Sequence, residues 1–365
     1  MPPNHGDRSR PPSSPNGHGT DGSGAAPTQF VSHYLVSPAY DIIFFISSPL
    51  LALILGLGLS HSPLNRGEVL GGENWVEMFL SIFVMAHLFI VIFRSHFNPG
   101  IYRLYPVRFA IVPLVLFLAM GYSIWAMVIG SVLATFWDVY HSSLQTFGLG
   151  RLYDKIAGND PRVGRRLDIA LNLYIYAGPI AAGATLMDHV DDFAEFKAVN
   201  SLFFTEIPAY VEFNSAILTW LVIGTGVPFL FYYLHAYRKL ARAGHRVSFQ
   251  KVALLLSTGI VSIYAWGFNP FGMAFFIMNV FHAWQYFAII WWSERDHLIR
   301  AVRQEGRTRA VPAALALLLG TSLAYGLVAG LYHGGNDWLF SVFLVVSLMH
   351  FWYDGFIWSV RRHQI

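Results

Sequence analysis

Cysteine is absent from this 365-residue chain. That absence excludes disulfides, thiolate metal ligands, cysteine-held iron–sulfur clusters and covalently attached haem. Any metal must therefore be held by His, Asp, Glu or neutral amides. Charge is scarce too: 12 % of residues are Asp, Glu, Lys or Arg, about half the share of a globular protein. The net charge of +3 comes from arginines spread over short segments rather than one patch, so no nucleic-acid partner is expected. There is no Gly-x-x-x-x-Gly-Lys phosphate loop, dinucleotide fingerprint or His-Glu-x-x-His pair, and no Gly-x-Ser-x-Gly nucleophile elbow. Residues 1–28 are rich in Pro, Gly, Ser and Asn, with no apolar core or cleavage site. They read as a disordered tail rather than a signal peptide, leaving 29–365 as the structured domain.

What is abundant is apolar surface. Hydrophobic residues make up 55 % of the chain, with 30 Phe, 18 Tyr and 11 Trp. Runs of ~20 apolar residues match the thickness of a hydrocarbon core, and the aromatic residues suit lipid-facing surfaces and interfacial belts. The expected fold is all-α, a polytopic transmembrane helical bundle of about ten spans: 40–59, 75–93, 109–125, 127–148, 167–187, 214–234, 250–268, 273–293, 311–331 and 337–358. The division between the third and fourth falls near Trp125 by length alone. Basic residues follow spans two, four, six, eight and ten, whereas Asp188, Asp191, Asp192 and Glu195 follow span five. The positive-inside rule then puts both termini in the cytoplasm. The expected location is a multi-pass position in a bacterial inner membrane.

Four histidines interrupt the apolar runs: His87, His141, His282 and His350. All fall on spans running outside to inside. The next arginine toward the cytoplasm, Arg94, Arg151, Arg295 or Arg361, lies 7, 10, 13 and 11 residues on, or ~10–20 Å along a helix. All four imidazoles are thus expected in one slab of the cytoplasmic half. A single intramembrane histidine more often hydrogen-bonds helix to helix; four at one depth point to a shared site. Polar companions share their stripes: Asp138 and Gln145 with His141, Asn279, Gln285 and Tyr286 with His282, and Asp354 with His350. A carboxylate one turn away accepts the second ring N–H and fixes the tautomer of a metal-bound imidazole. The expected ligands are His87, His141, His282 and His350, with Asp138, Gln145, Gln285 and Asp354 as orienting or occasional ligating groups. His96, close to the helix-ending Pro99–Gly100 pair, is expected to make an interfacial hydrogen bond or to fold back as a fifth ligand. His245 and His297 read as surface residues. Gly326 and Gly330, spaced Gly-x-x-x-Gly, read as a close helix contact.

The segments His141-x-x-x-Gln145-x-x-Gly148-x-x-Arg151-Leu152-Tyr153 and His350-Phe351-x-Tyr353-Asp354-Gly355-x-Ile357-Trp358 resemble those of uncharacterised bacterial multi-histidine polytopic membrane proteins. The likeness covers about 25 residues, with His282-x-x-Gln285-Tyr286 and the span layout beside it, and implies no particular activity. At the level of chemistry the chain is similar to the histidine-ligated iron enzymes of membranes, carotene-cleaving dioxygenases and desaturases. It lacks the His-x-x-x-His and His-x-x-His-His boxes of the desaturases and the signature of the carotene-cleaving group, so no functional residue is carried over from either.

Imidazole sets without thiolate suit iron, copper or zinc, and a site facing the membrane interior implies a lipid-soluble substrate. The expected function is that of a metal-dependent oxidoreductase, with iron as the cofactor. Its substrate would be a lipid or isoprenoid that it oxidises, desaturates or cleaves. An external electron-donor protein would supply electrons where the substrate does not. Two alternatives come from other classes. One is a proton-coupled transporter using the intramembrane His and Asp groups. The other is a b-type haem electron carrier with histidines as axial ligands.

Overall fold

In the computed structural model, residues 33–65, 74–183, 213, 215–302, 308–332 and 334–358 are described. The expected tail, the acidic segment around Asp188–Glu195 and both chain termini lie outside them. Every regular element among the described residues is a helix. We number them α1 (Pro38–Asp41), α2 (Ser48–Ser60), α3 (Trp75–Phe89), α4 (Ile92–Ser95), α5 (Pro99–Tyr102), α6 (Pro106–Tyr122), α7 (Ile124–Ile156), α8 (Arg165–Gly183), α9 (Ser215–Arg242), α10 (Phe249–Phe268), α11 (Phe271–Ala301), α12 (Ala310–Gly330) and α13 (Asp337–Ile357). Seven of them are long and apolar enough to cross a membrane, α3 counted together with α4, and this marks a membrane protein. An eighth span results if the pair before and after Ser47, bent by 54°, is counted as one.

Local chemistry explains where these rods begin and end. Asn74 caps α3 by accepting from Val76 N and Glu77 N, while Glu77 reaches back to Asn74 N, a reciprocal box that satisfies orphan donors. The near-continuous apolar run 106–156 breaks at Ser123. Its extended backbone (φ −135°, ψ 113°) ends α6, and its hydroxyl accepts from Ala126 N to start α7. The break thus falls two residues before Trp125, because a hydroxyl able to cap a helix sits there. The first span is not one rod: a π-helical turn, Ile42–Ile46, precedes the bend. Before it, Asp41 accepts from Val36 N at 3.0 Å and from Tyr153 Oη at 3.0 Å, tying the entry segment to α7.

α11 is the central helix. Its apolar window is 78 % buried inside the protein, against 6 % for α9. It packs on α2, α3, α10 and α12, while α13 lies against α6 and α7, and α8 against α7, α9 and α10. Gly326 and Gly330 seat α12 on α3. A Cβ at Gly326 would lie 2.3 Å from Ile82 O, and one at Gly330 would lie 2.8 Å from Ile82 N. The Gly-x-x-x-Gly spacing is therefore used for direct backbone contact.

Two arginines expected in loops are instead buried, because their helices outrun the apolar stretch. Arg94, 5 % exposed, pairs with Glu294 at 2.6 Å. Arg151 stands inside α7 with its Nη1 2.7 Å from both Asp154 and Asp168. Lys251 bridges the same two carboxylates at 2.7 and 2.8 Å.

Candidate metal centre

Four helices each contribute one imidazole to a single cluster. α3 supplies His87, α7 His141, α11 His282 and α13 His350, and none is more than 4 % exposed. Neighbouring ring centroids form a closed circuit: His87–His282 at 5.1 Å, His282–His141 at 5.0 Å, His141–His350 at 4.7 Å and His350–His87 at 5.1 Å. Interplanar angles of 70–88° give the four rings a pinwheel arrangement.

Backbone carbonyls fix two of the tautomers. His87 Nδ1 donates to Val84 O at 2.6 Å, and His350 Nδ1 donates to Leu88 O at 3.2 Å. A carbonyl only accepts, so both Nδ1 atoms carry protons and both Nε2 lone pairs are free to ligate. Nε2 of His350 lies 3.1 Å from Nε2 of His141. Two nitrogens each ~2.0–2.1 Å from a common ion are separated by ~3 Å, the edge of a tetrahedral or octahedral shell. His87 Nε2 and both ring nitrogens of His282 are buried with no hydrogen-bond partner. Each such orphan costs ~1–3 kcal/mol, and a ligand held by His87 Nε2 and one nitrogen of His282 would relieve two of them. Two overlapping groups have ligand atoms within 4.8 Å of one another and could hold a metal ion: His87, His282 and His350, and His141, His350 and Asp354.

The remaining expected residues divide. Asp354 is at the site, with Oδ2 3.8 Å from His141 Nε2 and Oδ1 accepting from Tyr286 Oη at 2.7 Å and Trp358 Nε1 at 2.9 Å. Gln145 and Gln285 serve the helices rather than the imidazoles. Gln145 Nε2 donates to His282 O at 3.1 Å and Gln285 Oε1 at 3.0 Å, and Gln285 Nε2 donates to Phe45 O and Ser48 Oγ at 3.0 Å each. Asp138 is paired with Ser142 and stands beside Tyr176. The two fixed imidazoles are thus oriented by main chain, not by these side chains. Asn279 donates to Phe275 O on its own helix. His96 stays outside the ring, bonded through Nδ1 to Ser95 Oγ at 2.8 Å and through Nε2 to Phe109 O at 3.1 Å.

Two residues at the site were given no role of their own by the sequence reading. Tyr286 was visible only as part of a stripe, yet its ring lies 4.5 Å from that of His350. Trp358 entered only as the last residue of the His350–Trp358 segment. It holds Asp354 and carries the Arg94 guanidinium 4.5 Å over its ring. His245 is not a surface residue: its side chain is 5 % exposed and lies 3.8 Å from Asp154.

A cavity of about 560 Å³ reaches His141, Tyr286 and Asp354 from the side. Its walls come mainly from α7, α8, α11 and α13, and they include Arg151, ten residues after His141 on α7, and Arg165. The ring therefore has one face open to a ligand-sized space and is otherwise enclosed by protein. No protein-family model matches this chain, and neither a curated protein nor a solved structure matches it.

Proposed function

We propose that the chain is a polytopic membrane metalloenzyme in which His87, His141, His282 and His350 hold a metal ion, with Asp354 as an additional or alternate ligand. The observation that carries this reading is the pinwheel of four buried imidazoles, in which His87 Nε2 and the ring nitrogens of His282 have no hydrogen-bond partner. Iron fits an all-imidazole and carboxylate donor set best among metals that handle dioxygen. When bound, it would supply the redox chemistry that side chains lack. The substrate is a lipid or isoprenoid, because the cavity that meets the ring is walled mainly by aromatic and aliphatic side chains. The reaction class is oxidation, desaturation or oxidative cleavage; hydrolysis would need water that this depth does not supply. Electrons not taken from the substrate come from a separate donor protein.

The chain's own groups have distinct tasks in this reading. The Val84 and Leu88 carbonyls keep His87 and His350 in the ligating tautomer. Asp354, steadied by Tyr286 and Trp358, stands where a proton leaving or reaching the substrate can be held. Trp137, Phe351 and Trp352 exclude water from the approach. The topology we propose has ten spans, adding α6, α8 and the bent first pair to the α3–α4, α7 and α9–α13 spans. Both termini are cytoplasmic, and the location is the cytoplasmic membrane of a bacterium.

The test is elemental analysis by mass spectrometry, with an absorption spectrum, on protein purified in detergent without a histidine tag or chelator. Stoichiometric iron without a Soret band is expected, and the double variant His141→Ala/His350→Ala should lose it. Full metal content in that variant would overturn the site. A Soret band would replace this reading with haem electron transfer. Folded protein without metal would leave His141 and Asp354 as a proton relay and favour transport.

A further inference from the structure

We propose that the cavity beside the histidine ring binds one long-chain fatty acid, its carboxylate at the Arg151–Arg165 end and its chain laid along α7 toward His141. The cavity follows α7 from Trp137 to Leu152, a length of ~22 Å at ~1.5 Å per residue. Its middle is apolar, with Leu144, Phe147, Ile289 and Phe351 among the walls. At about 560 Å³ it is of the size that encloses one drug-sized ligand, room for one acyl chain rather than the two of a phospholipid.

The two ends differ in charge, and this sets the direction of the ligand. Toward Trp137, past His141 and Asp354, no lysine or arginine among the described residues lines the cavity. At the other, Arg165 is exposed, its guanidinium 5.7 Å over the Phe147 ring with no carboxylate paired to it among the described residues. Beside it, Arg151 gives Nη1 to Asp154 and Asp168, while its buried Nε has no partner. Arg151 Nη2 already gives to Asp160 O, so a ligand carboxylate would take one hydrogen bond from the free Arg151 Nε and the others from Arg165.

Two glycines keep the floor of the groove clear. Gly148 on α7 and Gly355 on α13 both line it, and a Cβ at either would meet no atom within 4 Å. A larger side chain at these positions fills the groove without displacing protein. His141 stands ten residues from Arg151 on the same helix, ~15 Å away. The middle of the chain, not its carboxyl end, thus lies over the His141–Asp354 edge. That last point rests on the metal-centre reading; the binding site itself does not.

Binding of tritiated stearate to the full chain in detergent, by scintillation proximity, tests the proposal. Saturable binding of one stearate per chain is expected, with or without metal. Methyl stearate should compete at least tenfold more weakly. Arg165→Gln should weaken stearate binding about tenfold and erase that difference between acid and ester. Gly148→Leu and Gly355→Leu should abolish saturable binding while the far-UV spectrum and metal content stay unchanged. Equal competition by the methyl ester or by a two-chain anionic phospholipid would overturn the proposal, as would wild-type binding in both glycine variants. Loss of the metal assignment with stearate binding intact would sink only the enzyme reading.

Discussion

Asp168 accepts from Arg151, Lys251, Tyr233 and Tyr237 at once. Removing one partner of a buried charge network strands the others, at ~3–5 kcal/mol. Asp168→Ala is therefore expected to lower the thermal midpoint in detergent sharply, with Tyr233→Phe, which removes a single hydroxyl, costing far less. His245 borders the same network, outside the apolar spans. Burial pushes its pKa below the ordinary value; Asp154 opposes this, Lys251 and Arg151 add to it, and Asp168 opposes it. Above about pH 6.5 the imidazole is neutral in folded and unfolded chains alike. As the pH falls below that, the unfolded chain takes up the proton first, so stability falls. His245→Gln should flatten that part of the curve of thermal midpoint against pH, and an unchanged slope would assign it to other groups.

Among the elements, the seat of α12 on α3 matters most to the candidate site, because α3 carries His87. An added methyl at Gly326 has backbone 2.3 Å away, so the two helices must separate. Overpacking of this kind costs ~1–3 kcal/mol. Gly326→Ala should lower both stability and metal content, whereas Gly320→Ala on the same helix, where nothing lies within 4 Å, should change neither. Such contacts were partly legible. The Gly-x-x-x-Gly spacing announced a close approach without naming α3 as its partner, since spacing within one helix carries no information about its neighbour. The four histidines were legible because an imidazole in an apolar run stands out. The acceptors that orient two of them were not, because a backbone carbonyl leaves no mark in a sequence. Arg151 and Lys251 escaped for a different reason: a charge at the end of an apolar run looks the same whether it meets solvent or a buried carboxylate.

For the molecule as a whole, the chain's lack of cysteine makes the proposed topology directly measurable, because introduced thiols have no background. Leu64→Cys and Asp337→Cys should react with an impermeant maleimide on intact cells. Arg103→Cys and Ala243→Cys should react only after permeabilisation. Any crossing of these two groups would refute ten spans with cytoplasmic ends. The helical class followed from composition alone, and most rods from the length of apolar runs. The expected run 167–187 meets α8 (Arg165–Gly183) as far as it is described, although the buried Asp168 and Asn172 lower its hydropathy. The bend at Ser47 coincides with Ser47-Ser48-Pro49, which the span 40–59 had read through as one rod.

The imidazole ring also has a history in time. His350 bonds to a carbonyl 262 residues before it, and it belongs to both candidate ligand groups. Neither group exists until α13, the last helix described, has inserted beside α3 and α7. On the proposed reading, a metal could be held only after α13 has come to lie beside α3 and α7. Occupancy would then act as a signature of finished assembly, distinguishing mature protein from chains whose helices inserted but never closed together.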